Sequence, residues 1–291
     1  MYDNAYRSMA REEGRNWYYR ARRRAIRTLI ERYLGPPATE RKILDVGCGT
    51  GGTTALVAEF GDVTGVEPSE LAIQLCRETY PQLRVLRGRV QDLAALVPAG
   101  TFDLATILGV LCHKDVPDPR EGLEAIGRCL RPGGWIVWGD CVYPCLARQH
   151  DEFVQAERRF YPRQMHRLLA GAGFRVAASA PMLGWAFPLA LGLAAAHRLK
   201  RRFNCVGRPF QAVSVERRPG KAVLRPGGDG RDLECTDDRS LPGPLNAVLE
   251  GLTYWEWRLS LWGLKMPLGV SRLVLAQKLP GLAETRPREA A

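Results

Sequence analysis

The chain has 291 residues, 46% of them hydrophobic and 25% charged, which is the composition of an ordinary globular protein. Its 42 basic residues against 31 acidic ones give a net charge of +11. This excess favours anionic partners such as nucleic acid, phosphorylated substrates or an acidic membrane face, and a surface rich in solvated arginine explains it equally well. The most hydrophobic stretch, residues 182–196, is shorter than the roughly 20 residues that span a bilayer. We therefore expect no transmembrane helix.

The N-terminus lacks the apolar segment of a secretory signal, so a cytoplasmic location is expected. Eight cysteines are spread along the chain without a C-x-x-C pair. The closest two, Cys141 and Cys145, have no His or Cys partner at zinc-binding spacing. These features predict reduced thiols and no metal site.

The first predicted element is a helix over residues 17–34. Ile26, Ile30 and Tyr33 recur at helical spacing with arginines between them, and Gly35 ends the helix. Strands and helices then alternate. The predicted strands are residues 42–46, 62–67, 83–86, 102–108 and 135–138, separated by helices that run through Phe60, from Ser69 towards Thr79, and over 120–130. Such alternation predicts a parallel sheet with helices on both faces.

The second half of the chain is less regular. The predicted elements there are a helix at 162–170, a strand at 174–178, an apolar stretch at 181–203, a poorly ordered loop at 217–244, a helix at 245–262 and a last strand at 270–277. The predicted fold class is α/β, a Rossmann-like, seven-stranded, mostly parallel sheet with a helical lid or insertion. The expected parts are an N-terminal helical lid (1–37), a Rossmann-like core (38–180), a helical or loop insertion that caps the substrate (181–262), a final core strand (263–279) and a disordered tail (280–291).

The turn after the first strand carries the main chemical signal, in the sequence ILDVGCGTGG at residues 43–52. Its glycines allow a sharp bend and a close approach of a ligand to main-chain amides. Glu67 ends the next strand, where a carboxylate can accept both hydroxyl protons of a ribose. The spacing of Gly47, Gly49 and Gly52 also satisfies the dinucleotide fingerprint. Asp45 favours a cationic ligand, because a carboxylate beside the turn repels a pyrophosphate and attracts a sulfonium or an ammonium.

Taken with VTGVEPSE and LRPGGWIVW, this motif resembles the class I S-adenosylmethionine-dependent methyltransferases over residues 40–140. The opening EEGRNWYYRARRRAI is similar to the Arg-rich helix that precedes the core in bacterial members, and MPLGVSRLVLAQK is similar to their final strand. The resemblance covers most of the chain except residues 181–244. It implies S-adenosylmethionine as cofactor and methyl transfer as the activity.

The resemblance also implies roles for single residues. The cofactor-binding residues it implies are Asp45, Gly47, Cys48, Gly49, Gly51, Glu67, Val90, Gln91 and Leu108. Arg89 stands where the family usually has an acid beside adenine, and Gly109 replaces a frequent polar residue. As in similar enzymes, Trp17, Tyr18 and Tyr19 are expected to form a lid over the methionine end of the cofactor, although a helix docked on the sheet explains them equally.

His113 follows the fourth strand and is the candidate general base, because an imidazole can take a proton from a hydroxyl near neutral pH. A structural histidine bonded to a turn is the alternative. The aromatic residues Trp255, Trp257 and Trp262 could line a substrate pocket or belong to the core.

The stretch 181–203 has two interpretations. It either covers the substrate cleft or lies on an anionic membrane face, with its terminal basic residues at the headgroups. The predicted function is O-methylation of a small metabolite or of one linked to a lipid or sugar. Peripheral contact with an anionic membrane is part of this hypothesis. The alternatives are an RNA methyltransferase, a non-catalytic cofactor-binding protein and an NAD(P)-dependent oxidoreductase. Nucleic acid is not the expected partner, because the chain has no RNA-binding module that the sequence reveals.

Overall fold

The computed structural model describes residues 1–206, 241–264, 266 and 268–280, with the side chains of 201–206 left aside. Its seven strands are β1 Lys42–Val46, β2 Asp62–Glu67, β3 Arg84–Arg87, β4 Phe102–Leu108, β5 Leu130–Cys141, β6 Phe174–Met182 and β7 Ser271–Lys278. They form one sheet in the order β3-β2-β1-β4-β5-β7-β6. The first five strands pair in parallel, and β7 runs antiparallel to both of its neighbours. The predicted seven-stranded, mostly parallel sheet is confirmed.

Ten helices belong to the described residues. They are α1 Asp3–Glu12, α2 Trp17–Leu34, α3 Gly52–Val57, α4 Glu70–Thr79, α5 Leu93–Leu96, α6 Pro119–Cys129, α7 Gln149–Phe153, α8 Pro162–Gly171, α9 Phe187–Val206 and α10 Gly243–Leu261. Local signals set several of their ends. The side chain of Asn16 accepts a hydrogen bond from the amide of Tyr18 and so caps α2. The hydroxyl of Ser69 caps α4 in the same way.

Two strands are longer than the sequence pattern predicts. Residues 131–134, which the predicted strand at 135–138 leaves out, belong to β5, and the register between β4 and β5 shifts there. The Pro-Gly-Gly sequence marks an irregularity within the strand rather than a boundary. Strand β6 continues past residue 178 to Met182 because it pairs with β7 along its whole length.

Three further differences concern helices. Helix α1 covers residues for which the sequence pattern predicted no element. The stretch 181–203 contains the end of β6 and then most of α9. Helix α10 begins at Gly243, inside the loop predicted at 217–244. Residues 217–240 of that loop lie outside the described residues, as do residues 281–291 of the predicted tail.

The sheet is buried on both faces. One hydrophobic cluster contains Leu123 of α6 and Leu169 of α8. Its largest side chain, Trp138, packs edge to face on Phe160, with the two ring centroids 5.1 Å apart. The other cluster contains Ile26 of α2 and Trp257 of α10. Burial on both faces explains why the parallel strands read as nearly continuous apolar runs.

Within the described part of the chain, no helix is both long enough and apolar enough to cross a bilayer.

A buried ion pair fixes the segment that follows β5. The guanidinium of Arg159 donates to both carboxylate oxygens of Asp151, at 2.8 and 3.1 Å, and these side chains are 3% and 10% exposed. Asp151 also accepts the amide of Arg148 at the start of α7. The pair therefore connects α7 to the strand-like segment before α8.

Replacing Asp151 by Ala should lower the free energy of unfolding by about 3–5 kcal/mol, because it leaves the Arg159 charge buried without its partner. Chemical denaturation measures this change. Glu157→Ala is the control, since it removes the exposed partner of Arg158 and should cost about 0–1 kcal/mol. Equal losses in the two variants would contradict the assignment.

Candidate active site

A cavity of about 580 Å³ opens at the carboxyl ends of the parallel strands. It lies beside β1 and β4, where the strand order reverses direction, which is the usual ligand site of an open α/β sheet. Its volume falls within the range of about 300–1,000 Å³ that is typical of small-molecule sites.

The cavity brings together most of the residues singled out from the sequence. Its lining includes Trp17, Tyr18, Tyr19, Asp45, Gly47, Cys48, Gly49, Glu67, Val90, Gln91, Leu108 and His113. Gly51 is absent from this lining. It faces Cys76 and Tyr80 instead, so it packs the start of α3 against α4.

The floor of the cavity is the glycine turn after β1. Gly47 and Gly49 have φ angles of 69° and 56°, a region that side-chain-bearing residues rarely adopt. A Cβ atom on Gly47 would collide with the side chain of Val110, and one on Gly49 would lie 3.3 Å from the sulfur of Met9. The turn therefore needs glycine both for its bend and for space.

Glu67 is buried at the end of β2, with 3% exposure. Its Oε2 accepts the amide of Gly49 at 3.0 Å, and its Oε1 accepts the amide of Ser69 and the hydroxyl of Tyr6, at 3.0 and 2.9 Å. Burial raises the pKa of Glu67, and these hydrogen bonds act in the opposite direction. The carboxylate thus ties the glycine turn to the start of α4.

Asp45 is also buried, with 2% exposure. Its oxygens accept the hydroxyls of Thr54 and Thr106, at 2.6 and 2.5 Å, and burial raises its pKa. Each carboxylate oxygen has two acceptor sites, so these bonds leave acceptor capacity towards the cavity.

Helix α1 closes one side of the cavity; the sequence analysis placed residues 1–37 in a helical lid but predicted no separate helix before residue 17. Tyr6 and Met9 lie in the lining, and Glu13 just beyond the helix accepts the amide of Gly52 at 3.2 Å. The signal available was the recurrence of Ala5, Tyr6 and Met9 at helical spacing among polar residues. Only ten residues carry that pattern, which is short for a helix argued from periodicity.

The segment after β3 lines another side. Val90 is buried against the core, whereas the side-chain amide Nε2 of Gln91 donates to the carbonyl oxygen of Asp115 at 2.9 Å. Arg89 borders the same cavity. Val90 therefore offers an apolar surface to a ligand, and the side chain of Gln91 links two loops of the wall.

His113 lies in the cavity wall with both ring nitrogens in contact. Its Nε2 is 2.9 Å from the Met1 ammonium, and its Nδ1 is 3.3 Å from the amide of Asp115, which donates to it. Burial, and then the Met1 charge, lowers the pKa of His113 to about 4. The imidazole is therefore neutral around pH 7.

The aromatic residues of α2 form part of the wall. Trp17 packs against Trp185, with ring centroids 5.8 Å apart, and its amide donates to the side chain of Asn246 in α10. Of the later tryptophans, Trp257 is fully buried in the core. Trp255 and Trp262 are 50% and 61% exposed and do not border the cavity, so the pocket interpretation is wrong for all three.

Comparison with known proteins agrees with this architecture. A family model described as a methyltransferase domain matches residues 18–179. The chain belongs to this family. The predicted resemblance to class I methyltransferases is thereby confirmed. The matched segment of the methyltransferase domain contains α2 and β1 through most of β6, and it leaves out α1, α9 and α10.

Curated relatives of the methyltransferase domain include a ubiquinone biosynthesis O-methyltransferase from Bordetella avium, 35% identical over 103 residues, which are 34% of this chain and 42% of the relative. An O-methyltransferase from Pyrenophora dematioidea is 34% identical over 153 residues, 48% of this chain and 56% of the relative. The chain spans about half the length of the curated relatives it matches. Among solved structures, phosphoethanolamine N-methyltransferase 2 from Haemonchus contortus, in complex with S-adenosyl-L-methionine, is 14% identical. The structural match covers 96% of this chain and 57% of the Haemonchus chain, with a TM-score of 0.53. It shows that the two proteins share a fold.

The pH dependence of stability should report the neutral state of His113. An unfolded histidine, with its ordinary pKa near 6.5, takes up a proton between pH 6.5 and 4, and the folded one does not. Stability contributed by the neutral ring is therefore present above pH 6.5 and is lost as pH falls towards 4. In the wild type, the free energy of unfolding should therefore be lower at pH 4 than at pH 7. His113→Gln should reduce this difference by up to about 3 kcal/mol, as measured by denaturation at the two pH values.

Gln74→Ala, a change at an exposed side chain that cannot ionise and does not border the cavity, should keep the wild-type pH dependence. If His113→Gln also keeps it, the neutral assignment of His113 is refuted.

Proposed function

We propose that this chain transfers a methyl group from S-adenosylmethionine to an oxygen atom of a small or lipid- or sugar-linked metabolite. The observation that carries the proposal is the buried Glu67 carboxylate, bonded to the Gly49 amide at the mouth of the glycine turn. A carboxylate in this position can accept ribose hydroxyls. The positive φ angles of Gly47 and Gly49 let the adjoining turn bend so that it brings the Gly49 amide to this carboxylate.

The residues present fit this cofactor. Gly47 and Gly49 put no side chain of their own into the turn, Glu67 would accept the ribose hydroxyls, and Val90 would offer an apolar surface to the adenine. Asp45 supplies negative charge near the turn, which suits a sulfonium and an ammonium better than a pyrophosphate. S-adenosylmethionine, when bound, supplies an electrophilic methyl group. Gly51 contributes by packing the turn rather than by touching the ligand.

The protein's own contribution to the reaction is positioning. The aromatic residues of α2 and the side chains of α1 close the cavity, which holds an acceptor beside the cofactor site and excludes water. His113 borders the same space as a neutral ring whose two nitrogens face the Met1 ammonium and the Asp115 amide, so it can shape the wall against which an acceptor packs. With a pKa of about 4 it is a weak base, and we assign it a positioning role ahead of proton removal.

The acceptor is proposed to be a small molecule with an oxygen nucleophile, in line with the O-methyltransferases among the relatives. Peripheral contact with an anionic membrane face belongs to the same proposal, because a lipid-linked acceptor has to be reached there. Residues 181–262 are proposed to contribute to substrate access, since Leu183 borders the cavity and α10 bonds to Trp17 through Asn246.

Isothermal titration calorimetry with four ligands tests the cofactor assignment. S-adenosylmethionine and its demethylated product should bind, and NAD and NADP should not, because the acidic turn repels a pyrophosphate. Glu67→Gln should lose at least about tenfold in affinity for the demethylated product, a cost of about 1.4 kcal/mol or more. Glu70→Gln, which alters an exposed carboxylate nearby, should bind like the wild type.

Binding of NAD without binding of the methyl donor would reverse the assignment in favour of an oxidoreductase. Binding of the methyl donor, followed by transfer of a labelled methyl group to phenols and catechols but not to amines, is the result expected for an O-methyltransferase. Transfer to amines alone would refute the choice of oxygen.

Tyr6 should compete with the cofactor for Glu67. The carboxylate has about four acceptor sites, and Tyr6, Ser69 and Gly49 use three of them. A ribose that engages both oxygens has to displace the Tyr6 hydroxyl. Tyr6→Phe should therefore bind S-adenosylhomocysteine about threefold to tenfold more tightly by calorimetry.

Tyr2→Phe, a change at the start of the same helix and outside this hydrogen-bond network, should leave the affinity unchanged. Weaker binding by Tyr6→Phe would mean that the hydroxyl contacts the ligand instead of competing with it.

A further inference from the structure

Exposed apolar side chains concentrate on the two C-terminal helices. Among the described residues, the exposed large hydrophobic side chains lie within residues 189–199 and 241–268, with Tyr161 as the exception. Most exposed hydrophobic residues on a protein surface are scattered singly, whereas a continuous group marks an interaction surface. These helices lie outside the segment matched by the family model, so the fold of that family does not account for them.

On α10 and the residue after it, the exposed apolar side chains form one stripe. Its members, here called the α10 stripe, are Leu245, Val248, Leu252, Trp255, Leu259 and Trp262, which are 38–63% exposed. They recur at alternating intervals of three and four residues, so they lie on one face of the helix. The stripe runs for almost the full length of α10.

The polar residues of α10 face the protein instead. Asn246 bonds to the carbonyl of Arg15 and the amide of Trp17, and the buried carboxylate of Glu250 pairs with Arg20 at 2.8 Å. Glu256 accepts the amides of Gly184 and Trp185, at 3.0 and 2.8 Å. Rotating the helix to bury the stripe would break these bonds and expose its inner contacts. The outward direction of the stripe is therefore fixed by polar contacts.

The charge around the stripe is positive. The guanidinium of Arg258 lies over the rings of Trp255 and Trp262, 5.4 and 5.1 Å from their centroids. Both carboxylates of α10, Glu250 and Glu256, are buried on the opposite side. Helix α9 contains no acidic residue, and its exposed Leu189, Leu191 and Leu193 are followed by the exposed Arg198 and Lys200.

We propose that the α10 stripe docks the protein on an anionic lipid bilayer. Tryptophan and leucine enter the boundary between headgroups and acyl chains, and the Arg258 guanidinium beside them contacts anionic headgroups. Charge complementarity is the reason to choose a bilayer, because the exposed face carries apolar groups and cations and turns its carboxylates inward. The net charge of +11 acts in the same direction.

The docking surface is connected to the cavity. Asn246 of α10 holds the amide of Trp17, whose side chain borders the cavity, and Leu183 just ahead of α9 borders it too. Docking would bring the cavity near the bilayer surface, where a lipid-linked acceptor resides. This last step rests on the proposed methyl transfer, while the docking itself does not.

Vesicle co-sedimentation of the full chain tests the proposal. The wild type should pellet with phosphatidylcholine vesicles that contain phosphatidylglycerol, and pellet less with pure phosphatidylcholine or at high salt. The triple variant Leu252→Ser, Trp255→Ser, Trp262→Ser should partition at least about tenfold less. Tyr161→Ser is the matched control, because it removes an exposed aromatic ring elsewhere, and it should pellet like the wild type.

The triple variant should keep the wild-type melting temperature and affinity for S-adenosylhomocysteine, so that loss of docking is separated from loss of the fold or the cofactor site. A wild-type protein that stays in the supernatant with anionic vesicles would overturn the proposal, as would a triple variant that pellets equally well. So would a wild-type dimer in lipid-free solution that the triple variant converts to a monomer, with neither pelleting, because the stripe would then join two copies of the chain.

Discussion

The cavity depends on a carboxylate held out of water. Burying an ionised group is costly unless donors replace its lost hydration, and Glu67 receives two amides and one hydroxyl. Ser69 at the start of α4 follows Glu67 directly after Pro68, whereas the donors from the glycine turn and helix α1 are distant from Glu67 in sequence. One acidic residue at the end of β2 thus fixes the relative positions of the elements that surround the proposed cofactor site.

The same arrangement explains why α1 closes the cavity. In the described structure Tyr6 supplies a hydroxyl to Glu67 at the place where a ribose would supply its own. The helix therefore stabilises the carboxylate while no ligand is present, and a ligand has to offer equivalent hydrogen bonds in exchange. The proposed competition would make closure of the cavity and binding of a ligand parts of one equilibrium.

Helix α10 shows how buried polar contacts can determine what a surface presents. Its amide and carboxylate side chains attach it to α2 and to the segment after β6, and the consequence is an apolar face turned to the outside. A helix read from hydrophobic periodicity alone would be placed with that face inward, as happened when Trp255 and Trp262 were considered for a pocket or the core. The partners of α10 lie in two parts of the chain, at residues 15–24 and 184–185, both far from it in sequence, so no local pattern indicates them.

The sequence alone determined the sheet and the turn that carries the proposed chemistry. Helix α2 and strands β1, β2 and β4 have the predicted bounds, because their apolar periodicity, caps and glycine stops are local signals. Gly47, Gly49 and Glu67 were placed together because the carboxyl ends of parallel strands meet at one edge of the sheet.

Tertiary structure decided the rest. The extension of β5 to Cys141 and of β6 to Met182 came from pairing with β7, which begins about 90 residues after β6 ends. The partners of Glu67 from α1, the neutral state of His113 and the outward face of α10 depend on contacts between residues far apart in sequence. The helix and strand propensities of single residues contain no information on such contacts, because these contacts contribute free energy only after folding has brought the partners together.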